Sequence, residues 1–207
     1  MKPGAGARAT LRRMVEAIRR LRHDRRGVAA VEFAFIAPIL MIMYFLTMEA
    51  SQAIETSKKV NRVSSMVGDL IAQQSTVNTS TLDAILRISN ATLQPYNRST
   101  PTIVVTGIKI SNDPTPKVQV AWSRRVVNGV YMPDAAVNST TTVPDSLKIG
   151  GTFLVRVTTN LAYRPVIAWA AGDHKTLGLT NAFDNINMSE TFYLRPRVTS
   201  AITCSNC

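Results

Sequence analysis

The chain has 207 residues, room for one modest domain plus a membrane segment, and a formal charge of +11. The charge is gathered at one end: residues 1–27 hold nine Lys/Arg against Glu16 and Asp24, a net +7, and the other 180 residues carry only +4. A basic stretch set directly against an apolar run follows the positive-inside rule, so the sequence points to a membrane and away from nucleic acid as a partner.

Residues 1–10 are rich in small residues. Over 11–22, Leu11, Met14, Val15, Ile18 and Leu21 recur at helical spacing with arginines between them. That pattern predicts an amphipathic helix that either lies on an anionic leaflet or simply supplies positive charge. An apolar run of 21 residues follows, from Val28 to Met48, with Glu32 as its one charge. At about 1.5 Å per residue it spans roughly 30 Å, the thickness of a bilayer's hydrocarbon core. Beyond Glu49, Val60, Val63, Val67 and Leu70 recur every three or four residues among charged ones, and no proline interrupts 39–94. One continuous helix from 28 to about 74 is therefore expected, in lipid at first and then packed on a domain. Pro38 should kink its apolar half.

The polar stretch STVNTST at 75–81 breaks the pattern. A second helix is expected from Ser80 or Thr81, burying Leu82, Ile85, Leu86 and Leu93 and ending before Pro95. The remainder reads as strands: 102–110 and 117–127 as a hairpin around SNDPTP, then 152–163 and 190–198. Residues 128–150 and 164–189 read as long loops. The predicted fold class is α+β, with a long N-terminal transmembrane helix continuing into an exported domain that carries a small antiparallel sheet. The predicted parts are a basic cytoplasmic leader at 1–27, a transmembrane helix at 28–49 and an exported domain at 50–207, helical over 50–94 and sheet over 100–200.

Glu32 is the residue that needs a reason. A carboxylate inside such a helix costs on the order of 2.5–3.5 kcal/mol at the bilayer centre and less towards an end. It lies in Gly27-Val28-Ala29-Ala30-Val31-Glu32-Phe33, five positions past a glycine that closes the basic run. A cut after Gly27 would leave an amine on Val28 one helical turn from Glu32, on the same face. The carboxylate could then neutralise that amine or a neighbour's. The plainer alternative is an acid that favours the positive start of a helix.

The string GVAAVEFAFIAPILMIMYFLTMEA resembles the type IV pilin superfamily, and within it the TadE-like minor pseudopilins of Tad/Flp pilus systems. The matching features are the small residues after Gly27, the Glu32-Phe33 pair, Pro38, and Glu49 just past the apolar run. The likeness covers about residues 25–50. It implies an inner-membrane protein with a cytoplasmic N-terminus and a periplasmic or pilus-associated domain, and a prepilin peptidase that cuts between Gly27 and Val28. It also implies roles for Glu32 and Phe33 in processing or assembly, other pilin-like subunits and the assembly platform as partners, and a part in initiating or assembling the filament. The Asp-x-Ser-x-Ser metal motif of longer TadG-like relatives is missing from the sequence.

Cys204 and Cys207 have redox-motif spacing, but no helix follows them; a small structural disulfide is expected rather than an active dithiol. His23 and His174 are the only histidines, so neither a zinc site nor a Ser/His/Asp group is argued, and Gly172-Asp173-His174 reads as a turn. No cofactor, metal or enzyme activity is expected. Trp122, Tyr131 and Trp169 read as core residues first and partner anchors second. Two rival readings remain: an uncleaved, membrane-anchored periplasmic binding or sensing domain, and a secreted protein released by ordinary signal peptidase.

Overall fold

Helix α1 runs from Val28 to Ala72 without interruption and carries Pro38 inside it. The computed structural model describes Glu16, residues 27–166 and residues 186–207. The expected helix over 11–22, both histidines, the 172–174 turn and Trp169 lie outside the described residues. The chain divides into two compact units, residues 1–48 and residues 49–207.

In the first unit the helical residues from Val28 onward bury none of their large apolar side chains: Phe33 is 67% and Phe35 74% exposed. A surface this apolar on every side is what a helix shows when its solvent is lipid. The Thr47 hydroxyl is satisfied locally, donating to the Met43 and Tyr44 carbonyls at 2.9 Å.

The second unit is an antiparallel sheet with helices on one face. Five strands lie in the order β4-β3-β2-β5-β6, where β2 is Thr102–Ile110, β3 Val118–Val127, β4 Val130–Pro133, β5 Phe153–Ala162 and β6 Asn187–Leu194. From α1, Val60, Val63, Val67 and Ile71 are buried against this sheet. Gly68 lets the helix come close, because a Cβ there would meet Leu194 and Val157. Ser64 Oγ donates to Thr159 Oγ1 at 2.7 Å, so the buried hydroxyls on the two elements satisfy each other. Leu70, expected on the buried face, is half-exposed; Ile71 holds that place.

Helix α2, Thr79–Leu93, starts slightly earlier than expected, because the Asn78 side chain caps it by accepting from Thr81 N at 2.7 Å. It buries the predicted Leu82, Ile85, Leu86 and Leu93. Asp83 binds Arg124 of β3 through two bonds of 2.8 Å, and this carboxylate raises the guanidinium's affinity for its proton.

The α+β expectation holds, and so does the hairpin of β2 and β3. The strand expected over 190–198 is shifted to Asn187–Leu194. Arg195-Pro196 ends it, since proline has no N–H for the ladder. Part of the loop expected over 128–150 is β4. Asn128 and Gly129 take φ of 50° and 78°, the two left-handed residues of a tight hairpin turn between β3 and β4. The polar break at 75–81 holds β1, Thr76–Val77, which pairs in parallel with β7, Thr203–Cys204. Trp122, at 1% exposure, is core: its indole donates to the Ile202 carbonyl at 2.7 Å and covers Gly107, where any Cβ would collide with the ring.

Candidate functional site

The first part of the site is the start of α1. Val28 is its first residue, and Gly27 precedes it with an open surround: a Cβ built on Gly27 meets nothing within 4 Å. Gly27 is also not among the glycines with positive φ. Neither crowding nor backbone strain asks for glycine at this position, so the fold supplies no reason for it. Val28 and Glu32, four positions apart, are one turn apart on one helix face. Glu32 is exposed, and no hydrogen bond or ion pair reaches it among the described residues. Phe33 beside it is exposed as well. The structure thus aligns Val28 with Glu32 and leaves the carboxylate open to a partner.

The second part was missed in the sequence. Glu49, the last acid of the apolar string, is fully buried in the second unit. One of its oxygens accepts from the Tyr163 hydroxyl, and the other accepts from the Val166 backbone N–H at 2.9 Å. Tyr163 is stacked on Tyr96 with ring centroids 5.6 Å apart. The Arg98 guanidinium lies over both rings, 4.7 Å from the centre of Tyr96 and 5.6 Å from that of Tyr163. Arg98 Nε donates to the Arg164 carbonyl at 2.7 Å, and the Tyr96 hydroxyl accepts from Arg164 N at 2.9 Å. Burial, and then the bond to the Glu49 carboxylate, push the Tyr163 phenol above its ordinary pKa, so it stays a donor. A buried carboxylate is costly unless its bonds are satisfied, and this one holds a tyrosine and a backbone amide more than a hundred residues along the chain. The only sequence signal was an acid at the edge of an apolar run, which reads equally well as a boundary.

The third part is the C-terminus. Cys204 and Cys207 are joined in the structure, with Cα atoms 5.7 Å apart. Asn206 brackets the start of α2, accepting from Thr79 N at 2.8 Å and donating to the Thr79 hydroxyl at 3.1 Å. The joined pair fastens the tail that forms β7 beside the start of α2. Among the described residues no cluster of three or more His, Cys, Asp or Glu is placed to hold a metal ion.

Fold and site together define a class: an α+β domain behind a helix long and apolar enough to cross a membrane. Within that class, residues 27–69 match the family model described as TadE-like protein, so this segment of the chain is TadE-like, as the sequence suggested. The match begins at Gly27, takes in Glu32, Glu49 and the buried Val60, Val63 and Val67 of α1, and ends at Asp69. A TadE-like segment of this kind suggests a Tad-pilus-associated component. No curated protein and no solved structure matches the chain.

Proposed function

We propose that this protein is a minor pseudopilin-like structural component of a Tad/Flp-type pilus assembly system. In this reading α1 is inserted in the bacterial inner membrane with residues 1–27 in the cytoplasm and the second unit in the periplasm or on the pilus. A prepilin peptidase cuts between Gly27 and Val28. Helix α1 then packs with the apolar helices of other pilin-like subunits and helps the filament to begin or assemble. The disulfide of Cys204 and Cys207 would persist in that oxidising compartment.

The observation that carries the reading is Glu32: a carboxylate in an unburied apolar helix, one turn from Val28, with no partner among the described residues. An acid placed there at a cost of kcal/mol calls for a partner outside its own fold. The amine released on Val28, or that of a neighbouring subunit, is of the right charge and in the right place. Gly27 supports the same reading, because a small residue that the fold does not require suits a protease pocket that does.

The test is Glu32→Ala in cells that hold the pilus system. The reading expects the variant to be made and membrane-bound at wild-type level, with filament assembly or co-purification of pilin-like subunits reduced about tenfold or more, the size of a lost charge pair in a dry bundle. Normal assembly would remove Glu32 from the mechanism. An uncleaved protein that captures no filament component would favour a membrane-anchored binding or sensing domain.

A further inference from the structure

A groove of about 320 Å³ lies in the second unit beside the Glu49 cluster, lined among others by Gln52, Thr56, Lys59 and Arg98. We infer that this groove holds the phosphate of an anionic phospholipid, fixing the second unit against the membrane surface. The inference rests on the membrane anchoring of the reading above and needs neither cleavage nor filament assembly.

Three observations support it. The first is position along the chain. Gln52 follows Met48, the end of the apolar run, by four residues of helix α1, a rise of about 6 Å. The headgroup region reaches about 5–8 Å beyond the hydrocarbon edge.

The second is preparation of the cation. The Arg98 guanidinium is held flat over Tyr96 and Tyr163, its Nε is fixed on the Arg164 carbonyl, and its Nη2 reaches Gln52 Oε1 at 3.3 Å. Its Nη1 makes no hydrogen bond among the described residues and remains to meet an oxygen. A guanidinium held in this way loses little freedom when it binds a phosphate.

The third is a second cation whose partners are modest. Lys59 donates to the Gln94 carbonyl at 2.9 Å and pairs with Glu55 at 3.0 Å. It keeps a third proton, and Glu55 is 65% exposed, a water-screened counter-charge that a phosphate can displace. Lining charge is thus two cations against one exposed acid.

The experiment uses the full chain in detergent micelles, with native mass spectrometry counting retained lipid after addition of phosphatidylglycerol or phosphatidylcholine. Phosphatidylglycerol should be retained about fivefold or more over phosphatidylcholine. Arg98→Gln and Lys59→Gln should each remove most of that preference, and Lys59 is partly exposed, so its variant keeps the fold if Arg98→Gln does not. Glu55→Gln, which frees Lys59, should raise retention about twofold. Equal retention of the two lipids, or a Lys59→Gln variant that binds as wild type, overturns the inference. Inorganic phosphate that displaces phosphatidylglycerol at equal concentration also overturns it, by showing a free-anion site. Carbonate extraction of membranes separates the two failures: a chain washed off by carbonate refutes the anchoring itself, whereas an anchored chain without lipid preference refutes only the groove.

Discussion

Glu32 and Glu49 sit on the same helix and have opposite surroundings. Glu32 is exposed and meets no partner among the described residues, whereas Glu49 is fully buried and accepts two hydrogen bonds from distant residues of its own domain. The two acids teach how to divide a helix between assembly and fold. One carboxylate finds its partners within its own domain, and the other finds none among the described residues. The apolar residues around them divide in the same way, since none of the large ones in 28–48 is buried while Val60, Val63, Val67 and Ile71 are core.

Substitution at the two sites breaks or sharpens this contrast. Glu49→Ala leaves the buried Tyr163 hydroxyl and the half-buried Val166 N–H without their acceptor, and is expected to cost the domain about 2–5 kcal/mol. Denaturant unfolding of the full chain, followed by the fluorescence of buried Trp122, measures it. Glu32→Ala should move the same curve by less than about 0.5 kcal/mol. Equal shifts would erase the distinction.

Gly107→Ala pushes a methyl group into the Trp122 ring and should cost about 1–3 kcal/mol by the same assay. It probes a site of the second unit that has no counterpart in the first, where Gly27→Ala should leave stability unchanged.

Tyr163→Phe removes the donor and keeps the ring stack, for an expected loss of about 1–2 kcal/mol at neutral pH. It also carries a pH signature. The phenol's pKa is raised in the folded state, so the unfolded chain gives up that proton first. The contribution is therefore complete below the ordinary phenol pKa near 10 and is lost as pH climbs above it. Wild type should lose stability in that alkaline range, and Tyr163→Phe should lose less of it.

Much of this was legible because it is written in short-range patterns. The β-branched stretches at 102–110 and 117–127, set on either side of the turn residues SNDPTP, form β2 and β3. The 3-and-4 spacing of Val60, Val63 and Val67 marked the buried face of α1. The signal for β4 is also local, since Asn128-Gly129 between valines is a strong hairpin turn inside the stretch expected as a long loop. β6 stops at Leu194 rather than running to 198, because Pro196 has no N–H for the ladder. Other features could not be read locally at all. The two-residue pairing of β1 with β7 depends on the C-terminal tail returning to the start of α2. The role of Glu49 depends on Tyr163 and Val166, far along the chain, and the groove depends on Arg98 folding back over Tyr96 and Tyr163. At the junction, spacing alone aligned Val28 with Glu32. The structure added that Gly27 answers no need of the fold.

The processed junction is the central claim, and it has one direct measurement. The protein is extracted from membranes of cells that contain the prepilin peptidase, and the N-terminus of the mature chain is sequenced. The account predicts Val-Ala-Ala-Val-Glu-Phe, beginning at Val28, with Gly27 and everything before it removed. A membrane-bound chain that still carries residues 1–27 would contradict it.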